Sequence, residues 1–189
     1  MPNAPGGQLA DDHDRSALLI TGTVGAGKTA VAVMVGHVLS QAAIPNAVID
    51  LDWLRRSWPA PKEDRFNSEV ELRNLKPMAR NYFRAGAVRL LMAGVVETRA
   101  ARDRYHDVLG VPLLICRLRV ALPVVHARLV RRHADDPVGL PWHVDRSREL
   151  NGILEAAAVE DVIVEATQGD VAQVADRVIR AVGWDRSPD

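Results

Sequence analysis

A glycine-rich stretch at residues 22–29 contains the residue types that bind phosphate groups, and it matches the pattern G-x-x-x-x-G-K-[ST]. Glycines let the backbone curl so that successive N–H groups point at phosphate oxygens, and a following helix adds the positive end of its dipole. Lys28 is expected to reach the β- and γ-phosphates of a nucleotide, and the Thr29 hydroxyl is expected to ligate Mg²⁺. The predicted phosphate-binding residues are Gly22, Thr23, Val24, Gly25, Ala26, Gly27, Lys28 and Thr29.

The sequence on either side of this stretch supports the interpretation. Residues 17–21 form a short apolar run typical of a buried parallel strand, and residues 29–40 are rich enough in alanine and valine for a helix packed on a sheet. The alternative is a glycine-rich turn with a surface lysine. A strand, a glycine loop and a helix in this order favour phosphate binding.

Two acids and an arginine follow the second predicted strand, residues 46–50. Asp50 and Asp52 stand at the strand's carboxyl end, where side chains of an open parallel sheet face the ligand. A carboxylate there can accept a proton from an acceptor hydroxyl or hold Mg²⁺, and Arg55 can grip a polar or anionic substrate. The alternative is a solvated strand end whose acids cap the next helix.

Arginines also cluster before a polar loop. Arg128, Arg131 and Arg132 share one helical face and lead into residues 132–145, which we interpret as a small lid. Arginines on a closing lid can stabilise a phosphoryl group in transfer while water is excluded. The alternative for each arginine is a surface salt bridge.

Other candidates are weaker. Arg80, with its helical neighbours Arg73 and Arg84, faces either a substrate or solvent. Trp53 and Trp142 either stack on a ring substrate or pack in the core. The six histidines show no metal-ligand spacing, and Cys116, the single cysteine, is interpreted as an inert core thiol.

The elements that must position these residues alternate between strand and helix. Strands are predicted at 17–21, 46–50, 88–94, 111–118 and 161–165, and later helices at 68–85, 98–109, 123–132, 144–157 and 170–182. This order predicts an α/β, three-layer fold with a five-stranded parallel sheet and a small lid. Ser68 and Glu71 have the spacing of a capping box, and Pro77 should kink or split its helix.

Composition narrows the class of protein. The 189 residues suit one domain, predicted at 16–184, with disordered tails at 1–15 and 185–189. Lys plus Arg equals Asp plus Glu, 24 each, which argues against a dedicated nucleic-acid or membrane-surface binder. No apolar stretch predicts a transmembrane helix or signal peptide, so a cytoplasmic location is expected. Oligomeric state stays open.

With these motifs, the chain resembles the P-loop small-molecule kinases, a group that includes adenylylsulfate kinases, gluconate and shikimate kinases, and chloramphenicol phosphotransferase. The resemblance covers residues 18–184 and implies that the loop, Lys28 and Arg128 hold ATP and that Thr29 and Asp52 hold Mg²⁺. It implies that Asp52 is the base or substrate anchor, and that Gln168 belongs to an adenine-binding loop. The third strand ends without the aspartate often found there; Glu97 is the nearest substitute.

The leading hypothesis is therefore transfer of the γ-phosphate of Mg-ATP to a hydroxyl of a small molecule. Lys28, Asp52, Arg128 and Arg132 would carry catalysis, and Asp50, Asp52, Arg55 and Arg80 would contact the substrate. The alternative is a nucleotide-binding switch or accessory NTPase without a small-molecule acceptor. No N-K-x-D guanine-reading motif follows the fourth strand, which argues against a GTPase.

Overall fold

The computed structural model describes residues 14–135 and 137–185, so the predicted tails lie almost wholly outside the described residues. The strands are β1 (Ser16–Thr21), β2 (Asn46–Asp50), β3 (Arg89–Ala93), β4 (Leu113–Arg119) and β5 (Val162–Glu165). The helices are α1 (Lys28–Gln41), α2 (Leu51–Leu54), α3 (Ser68–Arg84), α4 (Arg99–Leu109), α5 (Leu122–Arg132), α6 (Leu140–Ala157) and α7 (Val171–Ala181), with a 3-10 turn at Pro137–Gly139.

All five strands pair in parallel, in the order β2-β3-β1-β4-β5. β1 lies at the centre, and the side chains of residues 17–20 are fully buried because helices cover both faces of the sheet. The chain reverses its direction of winding around β1, which opens a crevice at the carboxyl ends of the central strands. The loop at residues 22–27 follows β1 directly into this crevice.

Two separate apolar cores flank the sheet and give three layers. One core joins the sheet to α1 and α7 through residues such as Val35 and Val178. The other joins it to α3 and α4 through residues such as Leu75 and Leu109. The predicted α/β three-layer fold is thus confirmed. Among the described residues, no helix is long and apolar enough to cross a membrane.

Two local predictions are wrong. Helix α6 begins at Leu140, so the predicted lid loop 132–145 is partly helical; Pro141 lies in the first turn of α6, where its missing N–H costs nothing. Ser68 forms no capping box with Glu71, because Asp64 accepts the Ser68 and Glu69 amides at 2.8 and 2.9 Å. Of the two outcomes predicted at Pro77, a split is excluded, because helix α3 runs unbroken from Ser68 to Arg84.

Candidate active site

The loop between β1 and α1 adopts backbone conformations that favour glycine, among them those at Gly22 and Gly27. Gly27 precedes α1 with φ 94°, in the left-handed region that disfavours other residues. Gly22 has φ 150°, and a Cβ there would lie 2.9 Å from the Leu118 carbonyl oxygen. The loop therefore packs against β4 while it curls around the start of α1, as a phosphate cradle must.

Lys28 lies inside this curl. Its Nζ donates to the carbonyl oxygens of Gly22 at 3.0 Å and Thr23 at 3.1 Å. Burial lowers the pKa of Lys28 from 10.5 to about 8, although Asp52 and Asp50 oppose this shift. The ammonium is thus held in a desolvated position with only neutral acceptors, so an arriving phosphate oxygen would be a much stronger partner.

Thr29 and Asp50 form the second part of the phosphate side. The Thr29 hydroxyl donates to Asp50 Oδ2 at 2.7 Å, and Asp50 Oδ1 accepts the Asp52 amide at 2.9 Å. The structure thus brings Asp50, rather than Asp52, to the Thr29 hydroxyl. A hydroxyl beside one carboxylate fits Mg²⁺, which takes one or two carboxylates and completes its shell with phosphate oxygens and water. No cluster of three metal-ligating side chains occurs in the part of the chain that the structure describes.

Glycine, not aspartate, follows the last residue of β3, and the packing around Gly94 leaves no space for a side chain. A Cβ at Gly94 would lie 2.5 Å from Cδ1 of Leu51, the first residue of α2. Helix α2 therefore occupies the space that a side chain at this position would need. Glu97, farther along, lines the cleft but pairs with Arg146 of α6.

The side of the cleft opposite the phosphate loop is formed by α2 and the residues after it. Asp52 is well exposed there, and its Oδ1 lies 3.6 Å from Nε of Arg55. Arg55 is largely covered, and its guanidinium also pairs with Glu71, a buried carboxylate of α3 that accepts the Tyr105 hydroxyl. Burial raises the pKa of Glu71, while Arg55 opposes that shift. The predicted pair Asp52 and Arg55 is thus brought together beside Lys28.

The two arginines of α5 predicted to be catalytic, Arg128 and Arg132, have different surroundings. Arg128 donates to the carbonyls of Ala26 and Ala166, both at 3.2 Å, and so ties α5 to the phosphate loop. Arg132 is exposed and lines the cleft.

Two other predicted residues do not line the cleft. Arg80 is exposed on α3 and does not line the cleft. Gln168 is exposed as well, and its carbonyl accepts the Arg177 guanidinium at 2.7 Å.

The cleft between these groups has a volume of about 700 Å³, a size typical of small-molecule sites. Three aromatic residues line it: Trp53, Phe66 and Trp142. Arg56 lies 4.9 Å from the Trp53 ring, and Arg146 lies 5.0 Å from the Phe66 ring. Sequence reasoning missed Phe66 and Glu71, since neither belongs to a local motif.

The phosphate loop is also joined to the lid side of the cleft. The Thr23 hydroxyl donates to the Ser147 carbonyl of α6 at 2.6 Å, and both residues are buried. Helix α6 carries Trp142, which lines the cleft, close to the end of the predicted lid. A movement of α6 would therefore act directly on the loop that cradles phosphate.

The chain is similar to known proteins both in sequence family and in fold. A family model described as adenylylsulphate kinase matches residues 14–153, more than half of the chain. No curated protein sequence matches the chain closely enough to count as a relative.

Solved structures share the fold at low sequence identity. The tunicamycin resistance protein of Deinococcus radiodurans is 21% identical with a TM-score of 0.62, and the match covers 89% of this chain and 96% of that one. The shikimate kinase of Acinetobacter baumannii, in complex with shikimate, is 18% identical with a TM-score of 0.61, covering 91% and 94%. The APS kinase of Mycobacterium tuberculosis, in complex with AMPPNP and APS, is 18% identical with a TM-score of 0.52, covering 89% and 98%.

Proposed function

The chain belongs to the adenylylsulphate kinase family, and we propose that it transfers the γ-phosphoryl group of Mg-ATP to a hydroxyl of a small molecule. One observation carries the proposal. A half-buried, partly desolvated lysine on a phosphate cradle and an exposed carboxylate, Asp52, line the same cleft. Phosphoryl transfer needs this pair of features, because the donor phosphates and the acceptor hydroxyl must meet in line.

The phosphate side would hold the nucleotide. Bound Mg-ATP supplies the group to be transferred and the leaving ADP. Lys28 would exchange its two carbonyl acceptors for phosphate oxygens, and Thr29 with Asp50 would hold the metal ion. Arg132, exposed at the edge of the cleft, would meet the charge that spreads over the transferred group.

The acceptor side would orient the hydroxyl. Asp52 accepts the proton of the acceptor hydroxyl while the acceptor oxygen bonds to the γ-phosphorus and the bond from that phosphorus to ADP breaks. Arg55, held beside Asp52 at 3.6 Å, donates to the acceptor and keeps the carboxylate in place. The aromatic rings of Trp53 and Trp142 would shield the reacting groups from water.

The test is ADP release from Mg-ATP with pooled hydroxyl-bearing compounds, compared between wild type, Asp52→Asn and Asp107→Asn. Asp107 is an exposed acid on α4 away from the cleft, so its variant controls for loss of a surface charge. We expect Asp52→Asn to lower the acceptor-dependent rate by about 10²- to 10⁴-fold, the usual worth of a general base, with nucleotide affinity retained.

Two outcomes would count against the proposal. Wild-type turnover in Asp52→Asn would show that this carboxylate does not act on the acceptor. ADP release that no pool changes and that survives in Asp52→Asn would identify an NTPase or switch instead.

A further inference from the structure

The side chain of Thr23 joins the phosphate loop to helix α6, which is distant in the sequence. Its hydroxyl donates to the Ser147 carbonyl at 2.6 Å, across a separation of 124 residues. Thr23 is 4% exposed and Ser147 is fully buried, so water does not compete for this hydrogen bond. Because the acceptor is a backbone carbonyl of α6, the bond fixes the position of the helix relative to the loop.

The main chain of Thr23 is joined to the phosphate-binding lysine. Lys28 Nζ donates to the Thr23 carbonyl at 3.1 Å, and the Ala26 amide donates to the same oxygen at 3.2 Å. Thr23 therefore contacts Lys28 through its carbonyl and α6 through its hydroxyl. A phosphate oxygen that draws Lys28 away from this carbonyl would change the bonding of the same residue that holds α6.

Helix α6 forms one wall of the cleft. Trp142, His143 and Arg146 of this helix line the cleft. Arg146 pairs with Glu97, which follows β3, and lies 5.0 Å from the Phe66 ring. A change in the position of α6 relative to the phosphate loop would thus change the shape of the cleft beside the phosphates.

The first half of α6 has fewer buried apolar side chains than the second half. Leu150 and Leu154 are buried, whereas Leu140 and Val144 are only partly buried. Ser147 is the first buried residue along the helix. Segments with few buried apolar contacts open at a low free-energy cost, so one buried hydrogen bond at Ser147 has a large influence on the first half of α6.

Resting on nucleotide binding by the phosphate loop, which is part of the proposed function, we propose that Thr23 is a positioning residue that couples phosphate binding to the ordering of α6. Phosphate oxygens bound by the loop amides and Lys28 fix the loop, and the Thr23 hydroxyl then holds Ser147 and the α6 wall in place. The nucleotide in this way orders the side chains of Trp142 and Arg146 for the acceptor. Thr23 does not line the cleft, so it acts through α6 and not by contact with the acceptor.

The test is hydrogen–deuterium exchange, measured by mass spectrometry with and without saturating Mg-AMPPNP, a nonhydrolysable ATP analogue. Thr23→Val keeps the shape of the side chain and removes the hydroxyl, whereas Thr23→Ser keeps the hydroxyl. Thr98→Val is a further control, because the Thr98 hydroxyl accepts the Ala101 amide at 3.1 Å in α4 and Thr98 does not line the cleft. It removes a threonine hydrogen bond without touching the phosphate loop.

We expect Mg-AMPPNP to slow the exchange of amides 142–151 by about 3- to 10-fold in wild type, Thr23→Ser and Thr98→Val, the worth of one hydrogen bond. In Thr23→Val the slowing should fall below about twofold, while amides 22–29 are protected equally in all of these proteins. A merely structural Thr23 would raise exchange in α6 alike with and without nucleotide. An unchanged ratio between the two conditions in Thr23→Val would therefore overturn the proposal.

The exchange pattern also distinguishes this inference from the proposed function. Protection of residues 22–29 without protection of α6 in wild type would overturn the inference alone, and this measurement stands even if Thr23→Val fails to fold. No protection of residues 22–29 by Mg-AMPPNP would overturn nucleotide binding and the inference with it. Protection of α6 that depends on Thr23, without acceptor-dependent ADP release, would overturn only the proposed phosphoryl transfer.

Discussion

The desolvated Lys28 makes a quantitative prediction about stability and pH. Its pKa is about 8 in the folded protein and 10.5 when burial is removed. Between these values the unfolded chain binds more protons than the folded one, so the free energy of unfolding rises with pH through this range. Below about pH 8 the half-buried, charged ammonium of Lys28 destabilises the fold, and this cost disappears as the pH rises from about 8 to 10.5 and Lys28 loses its proton in the folded protein.

The size of the effect follows from the two pKa values. Integrating the difference in bound protons between about pH 7 and about pH 9.5 gives a stabilisation of about 2 kcal/mol from this lysine alone. The variant Lys28→Met has no titrating group at this position, so its free energy of unfolding lacks this rise with pH. We therefore expect the free energy of unfolding of Lys28→Met, relative to wild type, to fall by about 2 kcal/mol across this pH range.

The measurement is urea unfolding without nucleotide at several pH values, for wild type, Lys28→Met and Lys76→Met. Lys76 is exposed on α3, so its variant removes a lysine charge without touching the phosphate loop. Other titrating groups affect all three proteins and cancel in the comparison. A constant difference between Lys28→Met and wild type over this range would refute the argument that Lys28 is desolvated.

Two further predictions concern the metal ligand and the packing of α1. Asp50→Asn should raise the Mg²⁺ concentration for half-maximal ADP release by about 10- to 100-fold, and an unchanged Mg²⁺ requirement would exclude Asp50 as a ligand. Gly36→Ala should lower the free energy of unfolding by about 1–3 kcal/mol, because its Cβ would lie 2.7 Å from Cγ2 of Val48. Gly152→Ala, whose Cβ meets nothing within 4 Å in α6, should be neutral or stabilising by up to about 1 kcal/mol. Equal unfolding midpoints for the two glycine variants would contradict the packing argument.

The sequence predicts the phosphate loop well because its information is local. Gly22 and Gly27 shape the backbone that joins β1 to α1, and the Lys28 side chain folds back onto that same loop, so the geometry is encoded within a few residues. The order of strands and helices is equally local, since each apolar run indicates its own element. The three-layer fold could therefore be predicted, and the structure confirms it.

The acceptor side is harder to predict because its contacts join distant segments. Arg55, Glu71 and Tyr105 meet only after α2, α3 and α4 have packed together. The spacing from Ser68 to Glu71 even favours a capping box, a local bond that loses to burial against Arg55. Nothing in the sequence around Glu71 indicates its partner.

The sequence also does not predict which of two nearby acids, Asp50 or Asp52, lies beside the Thr29 hydroxyl. Both acids follow β2, and the sequence alone does not reveal that α2 begins at Leu51. This short helix turns Asp50 towards Thr29 and leaves Asp52 at the open side of the cleft. One turn of helix thus separates the two predicted roles.

The contact between Gly94 and Leu51 constrains how this protein can evolve. An aspartate at the end of β3 would need the space that Leu51 occupies, and Leu51 begins the helix that carries Asp52. Introducing an acid there by a single substitution would therefore disturb the position of Leu51 and with it the helix that carries Asp52, so the route passes through a less functional intermediate. We expect lineages of this architecture to exchange positions 51 and 94 together. Selection from a library randomised at both positions would show this as paired changes, and recovery of active Gly94→Asp with Leu51 intact would contradict it.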